Sequence, residues 1–205
     1  MDRQGVRHIV VAMTGASGSI YGLRLIQELL RAGGRVSLIL SAAGRQVLQH
    51  EMDLDWSATL SEQRHQVQEY FASIAVDCLA IDDFGAGTAS GSNPADAMVI
   101  APCSMGTAGR IAAGLSNNLL ERSADVMLKE GHPLLIVPRE TPFNAIHLEN
   151  LLRLSRAGAV ILPAAPGFYH RPKTVDDLAN FIVGKILDQL GVEHELFTRW
   201  GANGE

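Results

Sequence analysis

The chain is 205 residues long, enough for one domain with a sizeable core, and 47% of it is hydrophobic, which excludes a disordered chain. A formal net charge of -5 gives a nucleic-acid partner no electrostatic help, and 5% aromatic content poorly supplies a base-stacking platform. No apolar run reaches membrane-spanning length, the first residues lead straight into a strand pattern, and Cys78 and Cys103 show no metal or redox spacing, so a cytoplasmic protein without a membrane span is expected.

Taken in order, His8–Met13 reads as a strand and Ser19–Arg31 as a helix that ends at Gly33-Gly34. Between them, Thr14-Gly15-Ala16-Ser17-Gly18 makes a tight turn. Its glycines admit a ligand close to the backbone, and the following helix start offers unpaired N–H groups and a positive dipole end. A phosphate is the expected guest there. Val36–Leu40 is a second strand, closed by Ser41, and a helix containing Val47 and Leu48 follows. The stretch from Leu54 to Ala72 is more polar, with Trp56 and Leu60 as its anchors; Asp77–Ile81 is a short strand; Asp82–Pro94 is a Gly/Ser/Ala-rich loop of the length that function or mobility usually explains.

Ala97–Ala101 is a strongly apolar strand, followed by Pro102-Cys103-Ser104-Met105-Gly106-Thr107 and a helix through Ile111. Asn117–Glu130 is a helix, Leu134–Val137 a strand ending in Pro138-Arg139-Glu140, His147–Arg156 a helix, Ala159–Leu162 a strand and Thr174–Leu190 a long last helix. Strands alternating with helices, the strands nearly all apolar, predict a single α/β domain with a parallel sheet covered on both faces. A tail from about residue 191 is expected to pack on neighbouring subunits, since the apolar surface and small residues suggest a homo-oligomer.

In open parallel sheets, ligands bind beyond the carboxyl ends of the strands. Those ends carry Gly15, Ala16 and Ser17, then Ser41, then Ser104, Met105, Gly106 and Thr107, then Arg139 and Glu140, then Tyr169. Hydroxyls and glycines with one charged end suit a phosphorylated, partly flat ligand. A nicotinamide dinucleotide fits poorly: glycines at 15, 18 and 22 match no dinucleotide fingerprint, and Ser41 stands where a ribose-binding acid belongs. Tyr169 and Lys173 form a Y-x-x-x-K string, but Pro172 disfavours a helical Arg171 and keeps the pair off one helix face. A mononucleotide such as FMN fits better.

Arg139-Glu140 is either a structural ion pair at the sheet rim or part of a site. Arg122 and Lys129, seven residues apart on the preceding helix, share roughly one face and suit a second anionic ligand, though plain surface charges account for either. Cys103 reads as a small buried residue, the seven histidines show no metal-ligand spacing, and His147 and Glu149 serve helix structure or an interface. Trp200 reads as packing, on this chain or a neighbour.

The runs AMTGASGSIYGLRL, ASGSNPADAMVIAPCSMGTAGRIAAG, NNLLERSADVMLKE, PLLIVPRETPFNAIHLENLLRLS and GAVILPAAPGFYHRP resemble the flavin prenyltransferase family, long labelled 3-octaprenyl-4-hydroxybenzoate carboxy-lyase. They span most of 12–172 in order. The resemblance implies a three-layer Rossmann-like or flavodoxin-like fold and a dodecamer. It implies that the dimethylallyl group of dimethylallyl phosphate is joined to N5 and C6 of reduced FMN, without a metal. Prenylated FMN then serves a separate decarboxylase, in ubiquinone biosynthesis or aromatic-acid breakdown. By the same resemblance Gly15, Ala16, Ser17, Ser41, Ser104, Met105, Gly106, Thr107 and Arg139 hold FMN. Arg122, Lys129, Arg139, Tyr169 and Lys185 hold the leaving phosphate, and Glu140, with Ser17 as relay, moves a proton. Where some family members carry Arg, Lys185 stands here, which keeps the charge but cannot fork onto phosphate. Two further readings share the fold: an FMN-dependent cysteine-type decarboxylase, whose P-x-M-N-x-x-M-W run is missing here, and a non-catalytic flavin carrier, which would need neither Glu140 nor the outlying cations.

Overall fold

The computed structural model describes residues 7–56 and 59–199. In chain order these form β1 (His8–Met13), α1 (Ser19–Arg31), β2 (Arg35–Leu40), α2 (Ala42–Met52), α3 (Leu60–Tyr70), β3 (Val76–Leu79), β4 (Ala97–Cys103), α4 (Met105–Ala112), α5 (Leu119–Glu130), β5 (Leu134–Pro138), α6 (Ala145–Arg156), β6 (Val160–Ile161) and α7 (Val175–Leu190). The strands make one parallel sheet in the order β3-β2-β1-β4-β5-β6, which is the Rossmann order.

The two-residue period of the central strands divides the core into two halves. Ile9, Val11 and Met13 of β1 point to the layer built by α1, α2, α3 and α7. Val10 and Ala12 point to the layer built by α4, α5 and α6. Both halves are apolar, so β1 and β4 are buried on each face, as the unbroken apolar runs of the sequence require. β1 and β2 pair over six residues, His8 to Met13 against Arg35 to Leu40, and β1 and β4 pair from Ile9 against Ala97 to Ala12 against Ile100. Beyond Ile100 the register of β4 against β5 shifts before Cys103 meets Pro138.

Two expectations are corrected. The polar stretch after Leu54 carries α3, opened by a Thr59–Glu62 capping box that a count of apolar residues does not reveal. Trp56 anchors it, 4% exposed, whereas Leu60 is 36% exposed and does not. The 82–94 loop also holds one short 3-10 turn at Gly87–Ala89.

Over residues 191–199 the tail packs on its own chain. Phe197 lies 5.0 Å from the Phe181 ring, and Arg199 donates to Asp188 at 2.7 Å. Trp200 lies outside the described residues. Among the described residues no helix is long and apolar enough to cross a membrane.

The close approach of α1 to the sheet depends on Gly22. A Cβ there would lie 2.5 Å from the Ala101 carbonyl oxygen and 2.8 Å from Met13 Sδ. Alanine favours a helix interior by about 1 kcal/mol over glycine, but overpacking against a backbone oxygen costs about 1–3 kcal/mol. Gly22→Ala is therefore expected to be destabilising, read as a lower urea midpoint; an unchanged or higher midpoint would show that α1 lifts off freely.

Candidate active site

The strand order reverses between β1 and β4, and their carboxyl ends part there into a crevice. One buried side chain closes its floor. Thr14, 2% exposed, donates its hydroxyl to the Pro102 carbonyl at 2.9 Å, accepts from Ser104 N at 2.7 Å, and donates its own N–H to the same carbonyl at 3.1 Å. The helices α1, α2 and α4 all begin around this point. Each helix start leaves N–H groups without intrahelical partners and carries the positive end of a dipole.

Two of the three starts are capped by hydroxyls. Ser41 Oγ accepts from Gly44 N at 2.9 Å at the head of α2, and Ser104 Oγ accepts from Thr107 N at 3.3 Å at the head of α4. Ser104 Oγ also lies 3.1 Å from Thr107 Oγ1, to which it donates. The turn after β1 is pressed against the α2 start: a Cβ on Gly15 would lie 2.5 Å from the Ala43 Cβ, and one on Gly44 2.5 Å from the Met13 carbonyl oxygen. The first-turn amides of α2 and α4 thus open toward one crevice whose walls, at Gly15, Ser17, Ala42, Ala43 and Gly106, are exposed. An oxyanion with several acceptor atoms matches this donor set.

The third start differs from expectation. The anion foreseen at the head of α1 is supplied by the chain itself: the Glu51 carboxylate accepts from Gly18 N at 3.0 Å and from Ser19 N at 2.8 Å. Burial raises the Glu51 pKa, but hydrogen bonds from the Ser17 hydroxyl, the Ser19 and Gly18 amides and the Ser19 hydroxyl outweigh it and leave the group lowered. Sequence reasoning missed Glu51 because it lies ten residues after Ser41, at the far end of α2, with no motif around it. A phosphate is then left to the α2 and α4 starts.

Arg139 joins this group from β5. Its N–H donates to the Cys103 carbonyl at 3.2 Å, and its Nε donates to the Ser17 carbonyl at 3.1 Å. Tyr21 packs its ring against Gly18, where a Cβ would lie 2.7 Å away. Burial pushes the Tyr21 phenol up, the Arg139 charge lowers it and the Glu51 charge raises it, which places both charges around one ring. Glu140 follows Arg139 at the strand end, and its Oε1 accepts from Thr141 N at 3.0 Å. Gly15, Ala16, Ser17, Ser41, Ser104, Met105, Gly106, Thr107, Arg139 and Glu140 therefore sit at neighbouring strand ends, with Glu51 added.

The remaining residues stand elsewhere on this chain. Arg122 Nε donates to the Ala89 carbonyl at 3.0 Å and its guanidinium to Asp125 at 2.7 Å; Lys129 pairs with Glu130 beside Gly91. They share a face of α5, as their spacing predicts, and that face meets the 87–91 turn. Lys129 is near the end of α5 that leads into the start of β5, while Arg139 follows the end of β5. Five residues of strand separate those edges, roughly 16 Å at about 3.3 Å per residue.

Tyr169, in the loop before α7, and Lys185, on α7, form a third group. The Tyr169 ring meets Phe181 edge-on at 5.6 Å, and Lys185 donates to Asp188 at 3.4 Å, a carboxylate also held by Arg199. Tyr169 and Lys173 share no helix: Arg171 takes a left-handed φ of 54° and α7 starts only at Val175. His147 serves the capping box of α6 with Asn144. Cys103 is fully buried, and burial pushes its thiol up to about 12, which removes it as a nucleophile near neutral pH. Among the described residues no group of three or more His, Cys, Asp or Glu side chains is placed to hold a metal ion.

Residues 2–187 match the model of the family described as Flavoprotein. The chain is 55% identical over 195 residues to the flavin prenyltransferase UbiX of Alkalihalophilus pseudofirmus, with 94% of this chain and 96% of the relative covered. The chain belongs to the flavin prenyltransferases of the Flavoprotein family. Its fold superposes on the crystal structure of AnUbiX (PadA1) in complex with FMN and dimethylallyl pyrophosphate with a TM-score of 0.85 at 38% identity, over 96% of this chain and 98% of that one. It superposes on a dodecameric FMN-dependent UbiX-like decarboxylase from Escherichia coli O157:H7 with a TM-score of 0.82 at 36% identity, over 94% and 98% of the two chains.

The lowered Glu51 pKa gives a pH signature. A carboxylate whose folded pKa lies below its unfolded value stabilises the fold above the ordinary carboxylate range, about pH 4.3, and that contribution is lost as pH falls through the folded value. Parent and Glu51→Gln urea midpoints are expected to differ most at pH 6–7, parent higher, and to draw together as pH falls below the ordinary carboxylate range and through the lowered folded value. A difference of the same size from pH 7 down to the lowest pH at which both chains still fold would remove the carboxylate charge as its cause.

Proposed function

We propose that this protein joins the dimethylallyl group of dimethylallyl phosphate to N5 and C6 of reduced FMN, releasing inorganic phosphate and giving prenylated FMN. The observation that carries the reading is one crevice that gathers two hydroxyl-capped helix starts, Arg139 and the Ser17–Glu51 pair, in a chain 55% identical to a flavin prenyltransferase. The donor chemistry suits FMN: Ser41, Ser104 and Thr107 with the α2 and α4 amides take its phosphate, and Gly15, Ala16, Ser17, Met105 and Gly106 face the rest.

The flavin supplies the nucleophilic ring atoms. The chain supplies charge and proton traffic. Breaking an allylic carbon–oxygen bond builds charge on the departing phosphate, and fixed cations stabilise it without reorganising. Arg139 is one such cation in this chain's own crevice. Arg122 and Lys129 on one face of α5, and Tyr169 and Lys185 around α7, would reach a crevice from neighbouring copies. The dodecameric state of a relative supports an assembly of that kind. So does the outer stripe of α6 beside Glu140, where Leu148 and Leu152 are 54% and 51% exposed next to Glu149, Arg153 and Arg156. A carboxylate hydrogen-bonded to the Ser17 hydroxyl is an acceptor for a proton released at the flavin edge, and Glu140 is the second carboxylate at the same strand ends. The product would pass to a prenylated-flavin-dependent decarboxylase, and two free buried thiols suit the reducing cytoplasm.

Anaerobic incubation with reduced FMN and either dimethylallyl phosphate or dimethylallyl pyrophosphate, followed by mass spectrometry of the flavin, tests this directly. A flavin heavier by one five-carbon unit is expected with at least one donor. An unchanged flavin with both donors would sink the reading and leave the cysteine-type decarboxylase or the carrier. Glu140→Gln is expected to bind FMN as the parent does and to lose roughly 100-fold in turnover; parent-like turnover would take Glu140 out of the chemistry.

A further inference from the structure

Behind the hydroxyls of Ser104 and Thr107 stands an ion pair with no role so far. Glu121 lies in the first turn of α5 with its side chain 1% exposed. It accepts from Asn117 N at 2.9 Å through one oxygen and from Arg110 Nε at 2.5 Å through the other. Arg110, near the end of α4, then donates through a second nitrogen to Thr107 Oγ1 at 3.1 Å. A buried carboxylate is costly unless it is paired and hydrogen-bonded. Capping α5 does not require it, because Asn118 Oδ1 already accepts from Glu121 N at 2.9 Å. What the pair accomplishes is to fix a guanidinium, otherwise 46% exposed, against one hydroxyl of the crevice.

The consequence follows from counting protons and lone pairs. Thr107 Oγ1 has one proton and two acceptor positions. Arg110 fills one position and the Ser104 hydroxyl fills the other. The Thr107 proton is then left with no acceptor among these groups, in a residue only 3% exposed. An anion in the crevice resolves this. The Ser104 proton turns outward to the anion, and the Thr107 proton takes its place on Ser104 Oγ. A cationic donor on Thr107 Oγ1 polarises the Thr107 O–H and so favours the direction in which Thr107 donates to Ser104 and Ser104 to the anion; without Arg110 that bias is lost.

From this geometry we infer that Arg110, anchored by Glu121, is a positioning residue for FMN: it acts through Thr107 to aim the Ser104 hydroxyl at the phosphate. The inference rests on the reading of Ser104–Thr107 as the phosphate seat. Arg110→Lys keeps a cation beside Glu121 and gives up the second arm. FMN dissociation constants from flavin fluorescence are expected to rise about tenfold for Arg110→Lys and for Thr107→Val. The double variant should bind no more weakly than Thr107→Val alone, and Thr107→Ser should bind as the parent does. Glu121→Gln, which releases the guanidinium by another route, should match Arg110→Lys. Parent-like binding by Arg110→Lys, or losses that multiply in the double variant, would overturn the role of Arg110. Parent-like binding by Thr107→Val would instead remove the phosphate seat itself.

Discussion

The structure depends on how the chain handles the place where β1 and β4 stop pairing. Their ladder ends with Ala12 opposite Ile100, yet both backbones continue for several buried residues. Main-chain groups stranded there would each cost about 1–3 kcal/mol. Thr14 meets the demand with one hydroxyl, donating to Pro102 and accepting from Ser104 N. Because Ser104 is also the cap of α4, the same residue that satisfies the end of the ladder fixes where the helix begins. The crevice is therefore a by-product of closing the sheet: strands that diverge must be bridged, and the bridge places a capped helix start on each side.

Three helix starts in one small region concentrate partial positive charge, and the chain distributes it unevenly. At α1 it spends the charge on its own Glu51; at α2 and α4 it covers one amide each with a neutral hydroxyl and leaves the first-turn amides facing outward. The carboxylate at α1 is held by the Gly18 and Ser19 amides, so the end of the crevice near Arg139 acquires a negative charge while the other end keeps unpaired donors. The two ends are chemically different because α1 begins at an uncapped glycine and takes a carboxylate, while α2 and α4 begin at capping serines. Such a division suits a ligand with a phosphate at one end and a reacting ring at the other.

Much of this was legible in the residues. β1 and α1 have the bounds that apolar runs and the Gly33-Gly34 stop suggest, and the small-residue turns after each strand lie together as parallel-sheet topology demands. What was not legible shares one physical cause. Glu51 acts from the far end of a helix, Glu121 reaches back across a turn to Arg110, and α3 is held by a capping box more than by an apolar stripe. Each depends on where a polar side chain meets a backbone group or another charge in space. Periodicity reports which face of an element is buried and is silent about such meetings. The same limit applies to Arg122 and Lys129: their shared helix face could be read from spacing, but which end of the sheet that face serves could not.

The outlying cations each have a local partner, and this bears on whether they are available to a ligand. Arg122 pairs with Asp125 and Lys129 with Glu130 at exposed sites, and Lys185 with Asp188, a less exposed carboxylate that Arg199 also holds. Exposed pairs of this kind are worth about 0–1 kcal/mol. A phosphate accepts charge-assisted bonds as a carboxylate does, and it offers more charge and more oxygens. Each cation in such a pair therefore gives up little by turning from its local carboxylate to another anion.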